Sequence, residues 1–384
     1  MEFALTDEQR ALKQMAREFA LKEFPAFSKI CDDQEKVPTE LLEKAAAQGL
    51  LGVMIPSQYG GAGLGMLENA IIAEELNAID AGLALCIFAA DFGTEAIIRL
   101  GSEEQKQKWL PGIPKGETVS GAAISEAGAG SDVTAASATA QKQGDHYVVN
   151  GAKMWITNGE RANYFITLVQ TDPKNPKPHA RFSLLVIDRN TPGFKSTKIH
   201  GKLGVRASDT SELQFNDCKV PVANLLGEEG KGFYYVMEFF NNTRIGVAAQ
   251  GVGIAQGALN VATQYAMQRE AFGAPIANLQ AIQFKLAEMA TRAESARLLM
   301  YKAAWLNDQG KPSAQASSMA KWWSGRCACE NADECVQILG GMGYVDEMPA
   351  EKFYRDAKIC EIYEGTKEVH KLIIARSLLG RIKG

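Results

Sequence analysis

No apolar run in this chain reaches the roughly 18 residues that cross a bilayer, so its hydropathy marks no membrane span. Histidine is scarce, and the four present (His146, His179, His200, His370) are scattered. The seven cysteines are odd in number, and the close pair Cys327 and Cys329 has no zinc-like partners. This reads as reduced thiols in a cytoplasmic protein without a structural metal. Neither sign of charge dominates: 41 Lys and Arg against 45 Asp and Glu give a net charge of −4 and a pI near 5.8. That balance argues against a general nucleic-acid binder. Repeats, low-complexity tracts and charge blocks are missing. Met1-Glu2-Phe3 leads at once toward a helical pattern, unlike a signal or transit peptide. Gly251-Val252-Gly253-Ile254-Ala255-Gln256-Gly257 has the composition of a dinucleotide fingerprint, but it has the wrong spacing and follows no strand. Glycines inside that helical pattern are expected to allow close helix packing instead.

What is present is globular: 384 residues, 46% hydrophobic and 22% charged, enough for a sizeable core and two or three domains. Thr6-Asp7-Glu8-Gln9 is a capping box, with Leu12, Met15 and Phe19 following at helical spacing until Pro25. Further helices are expected at about 39–48, through Ile71 to Glu75, over Phe92–Leu100, and after a second capping box at Ser102–Gln105. The texture changes near Lys115. His146–Val149 and Lys153–Thr157 flank Asn150-Gly151, which predicts a hairpin, and strands are expected at 164–170, 182–187 and 212–220. Beyond Gly232, long periodic stretches at about 233–268, 279–308 and 313–338 imply an antiparallel bundle. The expected class is α+β: a helical domain at 1–118, a small antiparallel β domain at 119–230 and a four-helix-bundle-like domain at 231–384.

One carboxylate stands out in Cys360-Glu361-Ile362-Tyr363-Glu364-Gly365-Thr366. Glu364 lies between an aromatic and a glycine just before a helical pattern that Thr366 can cap. Placed in dry surroundings, such a carboxylate can act as a base; placed in water, it is a helix-start glutamate favoured by the dipole.

Four motifs taken together resemble the acyl-CoA dehydrogenase family. They are Ser125-Glu126-Ala127-Gly128-Ala129-Gly130-Ser131-Asp132, Lys153-Met154-Trp155-Ile156-Thr157-Asn158-Gly159, Gln268-Arg269-Glu270-Ala271-Phe272-Gly273, and Gln337–Tyr344 with Ile362–Thr366. The similarity runs from the first helix to the last. The resemblance implies FAD, a homotetramer and an electron-transferring flavoprotein as acceptor. It implies that Ile124, Ser125, Gly130 and Ser131 lie along the flavin, where a loop of small residues lets a planar ring approach the backbone. Ser131 would also meet substrate. Trp155 would offer a stacking face and Thr157 would reach flavin N5; without the family, Trp155 reads equally as a core tryptophan. Arg269, Phe272 and Gln280 resemble residues that hold the FAD diphosphate and adenosine of a neighbouring subunit, and an arginine fork suits two phosphate oxygens. Read alone, Arg269 is a helix-end arginine facing solvent. Gln337, Gly340, Gly341 and Thr366 match further cofactor-holding positions. The family usually has Gln two residues after Thr366, and this chain has Glu368 there.

Glu364 matches the family's catalytic base, which takes the proton beside the thioester while a hydride leaves the next carbon. In the family, the thioester oxygen is held by the backbone N–H at this position and by a flavin ribityl hydroxyl. Some members carry the base on the helix of Asn241-Asn242-Thr243-Arg244, but Thr243 cannot serve, which leaves Glu364. Asn241, Arg244, Tyr363 and Gly365 are the further substrate-side expectations; Arg244 also reads as a buried ion-paired arginine. Asp91, in Ala89-Ala90-Asp91-Phe92-Gly93, falls where the family lines its acyl pocket with small or apolar groups. Asp91 is either a helix cap or a second pocket carboxylate, suited to a polar acyl chain or to a proton on a ring carbon. Phe88 and Phe92 favour a short or compact acyl group. The expected activity is FAD-dependent α,β-dehydrogenation of a short, branched or alicyclic acyl-CoA. An acyl-CoA oxidase is disfavoured because such oxidases are usually longer. A non-catalytic flavin-binding relative is disfavoured because Glu364 is present and the charge balance is acidic.

Overall fold

The computed structural model describes residues 4–380. Met1–Phe3, on which the reading of the extreme N-terminus rests, and residues 381–384 lie outside the described residues.

Seven helices come first: α1 (Asp7–Glu23), α2 (Ser28–Gln34), α3 (Thr39–Ala47), α4 (Met66–Asn77), α5 (Ala81–Phe88), α6 (Thr94–Leu100) and α7 (Glu103–Trp109). Both expected capping boxes form, at Thr6 on α1 and at Ser102 on α7. The helix expected from Phe92 starts two residues later, because Gly93 at φ 97° takes the N-cap position. The β domain follows with β1 (Ser120–Ala123), β2 (Thr139–Gln143), β3 (His146–Thr157), β4 (Tyr164–Gln170), β5 (Phe182–Asp188), β6 (Phe194–Lys198), β7 (Thr210–Pro221) and β8 (Leu225–Leu226). Its order is β6-β7-β3-β2-β4-β5-β8, mostly antiparallel, but β1 runs parallel to β4 and makes the sheet mixed.

The Asn150-Gly151 hairpin does not form. β3 passes straight through the dipeptide, and the real turn lies at Gly144-Asp145, where Gln143 pairs with His146. Asn150 instead exchanges two hydrogen bonds of 2.9 Å with Asp217 across to β7, and the register slips there as a bulge. Gly151 sits at φ 137° with Ala138 so close that a methyl group would lie 2.7 Å from its Cα. The glycine serves a close strand approach rather than a turn.

The last third holds α8 (Gly232–Gln268), a small hairpin of β9 (Glu270–Ala271) and β10 (Ala274–Pro275), α9 (Gln280–Asp308), α10 (Ala314–Leu339), α11 (Ala350–Ala357) and α12 (Lys367–Leu379). α8 is the central helix, packed on α4, α9 and α10. A methyl group on Gly251 would lie 2.9 Å from Ser324, one on Gly253 2.5 Å from the Glu74 carbonyl, and one on Gly257 2.3 Å from the Ala78 carbonyl. The glycines of the would-be fingerprint therefore admit neighbouring helices. By length and hydropathy alone α8 meets the measure for a membrane helix, contrary to the sequence reading, but 72% of its apolar window is buried inside the protein. A helix enclosed by neighbours on several faces carries few charges for that reason.

One apolar cluster joins the sheet to the helices: Ile166, Leu168, Leu184 and Val186 from β4 and β5 meet Ile97, Trp109, Val236 and Phe239. This cluster fixes the start of α8 against α6 and the β domain, and the three parts of the chain converge on one cleft.

Candidate active site

The cleft is partly open to solvent, and its lining comes from all three parts of the chain. Phe88, Asp91, Phe92 and Glu95 line it from the N-terminal helices, Thr157 from β3, Phe239, Asn242 and Thr243 from α8, and Tyr363 and Glu364 from the turn before α12. Phe92 packs edge-to-face on Phe239 at 5.5 Å between ring centres, which narrows the cleft.

Glu364 is half-buried and sits at φ 54°, followed by Gly365 at φ 97°. A left-handed non-glycine residue costs of order 1–3 kcal/mol and persists only where its surroundings hold it. Four contacts do so. Thr243 donates its hydroxyl to Glu364 Oε2 at 2.6 Å. Arg244 Nε approaches the Glu364 carbonyl at 3.4 Å, Lys321 Nζ donates to the Gly365 carbonyl at 2.6 Å, and Thr366 caps α12 through the Val369 N–H. Glu364 therefore precedes the helix rather than starting it in water. Burial pushes its pKa above the ordinary carboxylate value, opposed by the Thr243 hydrogen bond and then by the Arg244 and Lys321 charges. Tyr363 donates its hydroxyl to Gln250.

Asp91 does not cap α6 through its side chain. Its backbone carbonyl takes the Thr94 N–H at 2.9 Å and the Thr94 hydroxyl at 2.8 Å, while the carboxyl faces the cleft and burial pushes its pKa up to about 6. Glu95, one helical turn on, was not among the expected site residues. Burial pushes it up to about 7, its carboxylate is hydrogen-bonded by Asn242, and it lines the same cleft. An isolated acidic residue in a short helix carries no signal that distinguishes a pocket wall from a solvated face.

The Ser125–Ser131 segment is a loop closed by pairing of Glu126 with Ala129. Ile124 is buried in the sheet–helix core, so only its backbone faces the loop. Underneath runs a buried ion pair that the sequence reading did not identify: Lys153 Nζ lies 2.9 Å from Glu126 and 3.1 Å from the Ile124 carbonyl, and Glu126 also accepts from Ser137 and Ala138. Burial opposes ionisation of both, but the Lys153 charge and the hydrogen bonds hold Glu126 below its ordinary value. Above this anchor Gly128, Gly130 and Ser131 are exposed, and methyl groups on the two glycines would meet nothing within 4 Å. Trp155 is not a core residue: it is 63% exposed at φ 66°, where a bulge turns it out of β3. An open glycine loop, an exposed indole and Thr157 at the cleft wall make a surface that fits a planar cofactor ring such as a flavin.

Arg244 donates to the Asn241 side-chain oxygen at 3.2 Å beside Glu364, and Arg244 is buried. Arg269, Phe272 and Gln280 lie elsewhere. Arg269 ends α8, Phe272 is 95% exposed, and Gln280 starts α9. Gln337, Gly340 and Gly341 are exposed at the end of α10, and the same apolar cluster joins Ile276 and Ala277 to Ile338 and Leu339. At 1.5 Å per residue, roughly 40 Å of α8 separates Thr243 from Arg269. One chain does not bring this group to its own cleft. Glu368 is exposed on α12.

Three family models match the chain: the N-terminal domain of acyl-CoA dehydrogenase over residues 6–117, the middle domain over 121–218 and the C-terminal domain over 230–379. An acryloyl-CoA reductase (NADH) of Anaerotignum propionicum is 42% identical over 99% of this chain and 97% of its own. The short-chain specific acyl-CoA dehydrogenase of Rattus norvegicus mitochondria is 43% identical over 98% of this chain and 91% of its own. Among solved structures, butyryl-CoA dehydrogenase from Megasphaera elsdenii superposes with a TM-score of 0.94 at 38% identity, covering 99% of this chain and all of that one.

Proposed function

The chain belongs to the acyl-CoA dehydrogenase family, an FAD-dependent class of oxidoreductases acting on acyl-CoA thioesters, and on that premise we propose that it dehydrogenates a short, branched or alicyclic acyl-CoA with Glu364 as the base. The observation that carries this reading is Glu364 itself, held in a left-handed turn at the wall of the cleft with Thr243 on its carboxylate. The α-proton of a thioester is too weakly acidic for a carboxylate in water. A raised pKa strengthens the base, and a backbone N–H aimed at the thioester oxygen stabilises the developing negative charge. Donors of that kind contribute about 3–4 kcal/mol each elsewhere. Phe88, Phe92 and Phe239 exclude water and leave room for a compact acyl group. The hydride from the β-carbon goes to FAD when FAD is bound, which is the redox chemistry that group supplies. Ser125, Gly130, Ser131, Trp155 and Thr157 would hold its ring.

A second reading is favoured by Asp91. Asp91 lines the same cleft as Glu364 and does not cap the helix through its side chain, which supports a role as a second proton acceptor. That suits a cyclohexane or cyclohexene carboxyl-CoA, whose ring offers a further proton beyond the usual pair. Anaerobic bleaching of the bound flavin by straight, branched and ring thioesters, on wild type and Asp91→Ala, separates the two. Reduction by ring thioesters that is lost in Asp91→Ala supports the second reading. Rapid reduction by short straight chains, indifferent to Asp91, removes it. No bleaching by any thioester with flavin bound sinks both.

We propose a homotetramer, with Arg269, Phe272, Gln280, Gln337, Gly340 and Gly341 serving a neighbouring subunit's cofactor; their distance along α8 from this chain's own base supports it. The proposed acceptor is an electron-transferring flavoprotein. A cytoplasmic location is proposed on the seven free cysteines.

A further inference from the structure

We propose that Lys321 is a positioning residue for the dehydrogenation: its ammonium, bonded to the Gly365 carbonyl, holds the left-handed Glu364–Gly365 turn and so the carboxylate that takes the α-proton. This rests on the reading of Glu364 as the base.

Lys321 lies in the interior of α10, 1% exposed, among Ser317, Ser318 and Ser324. A buried lysine needs acceptors, yet among the described residues the one hydrogen bond its ammonium makes is the 2.6 Å contact to the Gly365 carbonyl. The two groups are 44 residues apart, so the bond ties the turn to the centre of the bundle rather than to its own helix. The opposite side of the turn is filled by His370, fully buried, with neither ring nitrogen hydrogen-bonded. A methyl group on Gly365 would sit 3.1 Å from His370 Nε2. The turn is thus pinned from α8 by Thr243 and Arg244, from α10 by Lys321 and from α12 by the His370 ring, which lies against the Gly365 and Glu364 backbone. Without the Lys321 bond the carbonyl loses its charged donor and the left-handed turn can relax, which swings Glu364.

The charge acts in the same direction. Lys321 faces Glu364, Cys360 and Glu361, with Arg244 as the other cation. Burial brings its own pKa down to about 8, so it is cationic at neutral pH. His370 is kept neutral by burial and by the Lys321 and Arg244 charges, and Asp91 and Glu95 line the same cleft as Glu364. After the Thr243 hydrogen bond and the Arg244 charge, the Lys321 charge offsets a further part of the burial that raises Glu364.

The test uses FAD-loaded wild type, Lys321→Met, Lys321→Gln and Glu364→Gln. Two rates are read per bound flavin at saturating ester across pH: flavin reduction by butyryl-CoA, and exchange of the α-hydrogens of acetyl-CoA with D2O. Acetyl-CoA has no β-carbon, so the exchange reports proton abstraction alone. The expected result for Lys321→Met is a fall of about tenfold to a hundredfold in both rates, with the acid limb moved to higher pH. Lys321→Gln, which restores a donor without charge, recovers the plateau rate but keeps the shifted limb. Wild-type rates and an unshifted limb in either folded variant, whatever its thermal midpoint, overturn the proposal and leave Lys321 a core tether. If Lys321→Met yields no folded flavoprotein, the limb of Lys321→Gln decides. If Glu364→Gln retains exchange, the base assignment itself fails; if it loses exchange while the Lys321 variants do not, only the positioning role fails.

Discussion

Glu364 owes its position to residues far away in sequence, and that sets what single substitutions do. Thr243 donates to its carboxylate at 2.6 Å, and a hydrogen bond to a charged group contributes about 1.5–3 kcal/mol. Thr243→Val is therefore predicted to raise the Glu364 pKa further, because it removes the bond that opposes burial. The acid limb of flavin reduction against pH should move to higher pH; an unmoved limb would show that the bond does not tune Glu364. Asp91 supplies a stability prediction of opposite kind. Its folded pKa of about 6 lies above that of an unfolded aspartate, so its contribution to stability is complete below about pH 4 and is lost as pH rises through 6. Asp91→Asn avoids that loss. Thermal unfolding of the holoenzyme should show the variant more stable by about 1–3 kcal/mol at pH 7.5 and level with wild type near pH 4. At this scale the sequence singled out Glu364, because an aromatic–acid–glycine–threonine junction before a helix is local. Thr243 was read there only as a residue that cannot be the base. Glu95, Lys321 and the Glu126–Lys153 pair were not legible as parts of the site, because contacts across 27 to 147 residues leave no local pattern.

α8 shows how far an element's composition reveals its surroundings. Its glycines looked like a nucleotide loop by composition and like helix packing by period, and the period was the better guide because packing acts on every turn. Gly253→Ala and Gly257→Ala would press a methyl group to 2.5 and 2.3 Å of backbone oxygens on or just after α4, and each is predicted to destabilise by about 2 kcal/mol or more. Gly246, in the same helix with nothing within 4 Å, is the control: Gly246→Ala should be neutral or stabilise by up to about 1 kcal/mol. Chemical denaturation of the three variants checks this, and equal effects at all three positions would contradict the packing account. β3 teaches the reverse lesson. Asn150-Gly151 is a strong local turn signal, but β2 and β7 flank β3 and leave no room for a turn, so the strand bulges at the dipeptide instead.

For the whole molecule, the α–β–α order was legible because hydrophobic period changes sharply near Lys115 and again near Gly232, whereas the convergence of three parts on one cleft is a tertiary fact. Phe272, in the group assigned to a neighbouring subunit, is 95% exposed, and Tyr344, three residues beyond Gly341, is 85% exposed. Phe272→Asp is predicted to lower the assembled mass in light scattering and to release FAD together; loss of neither would remove the shared-site proposal. The central claim is that Glu364 takes the α-proton, and its most direct measurement is anaerobic flavin bleaching by butyryl-CoA in Glu364→Gln beside wild type, with FAD content and ester binding checked by titration. The account predicts that binding persists while the bleaching rate falls by at least about a thousandfold. A variant that binds the ester and still bleaches at the wild-type rate would contradict it.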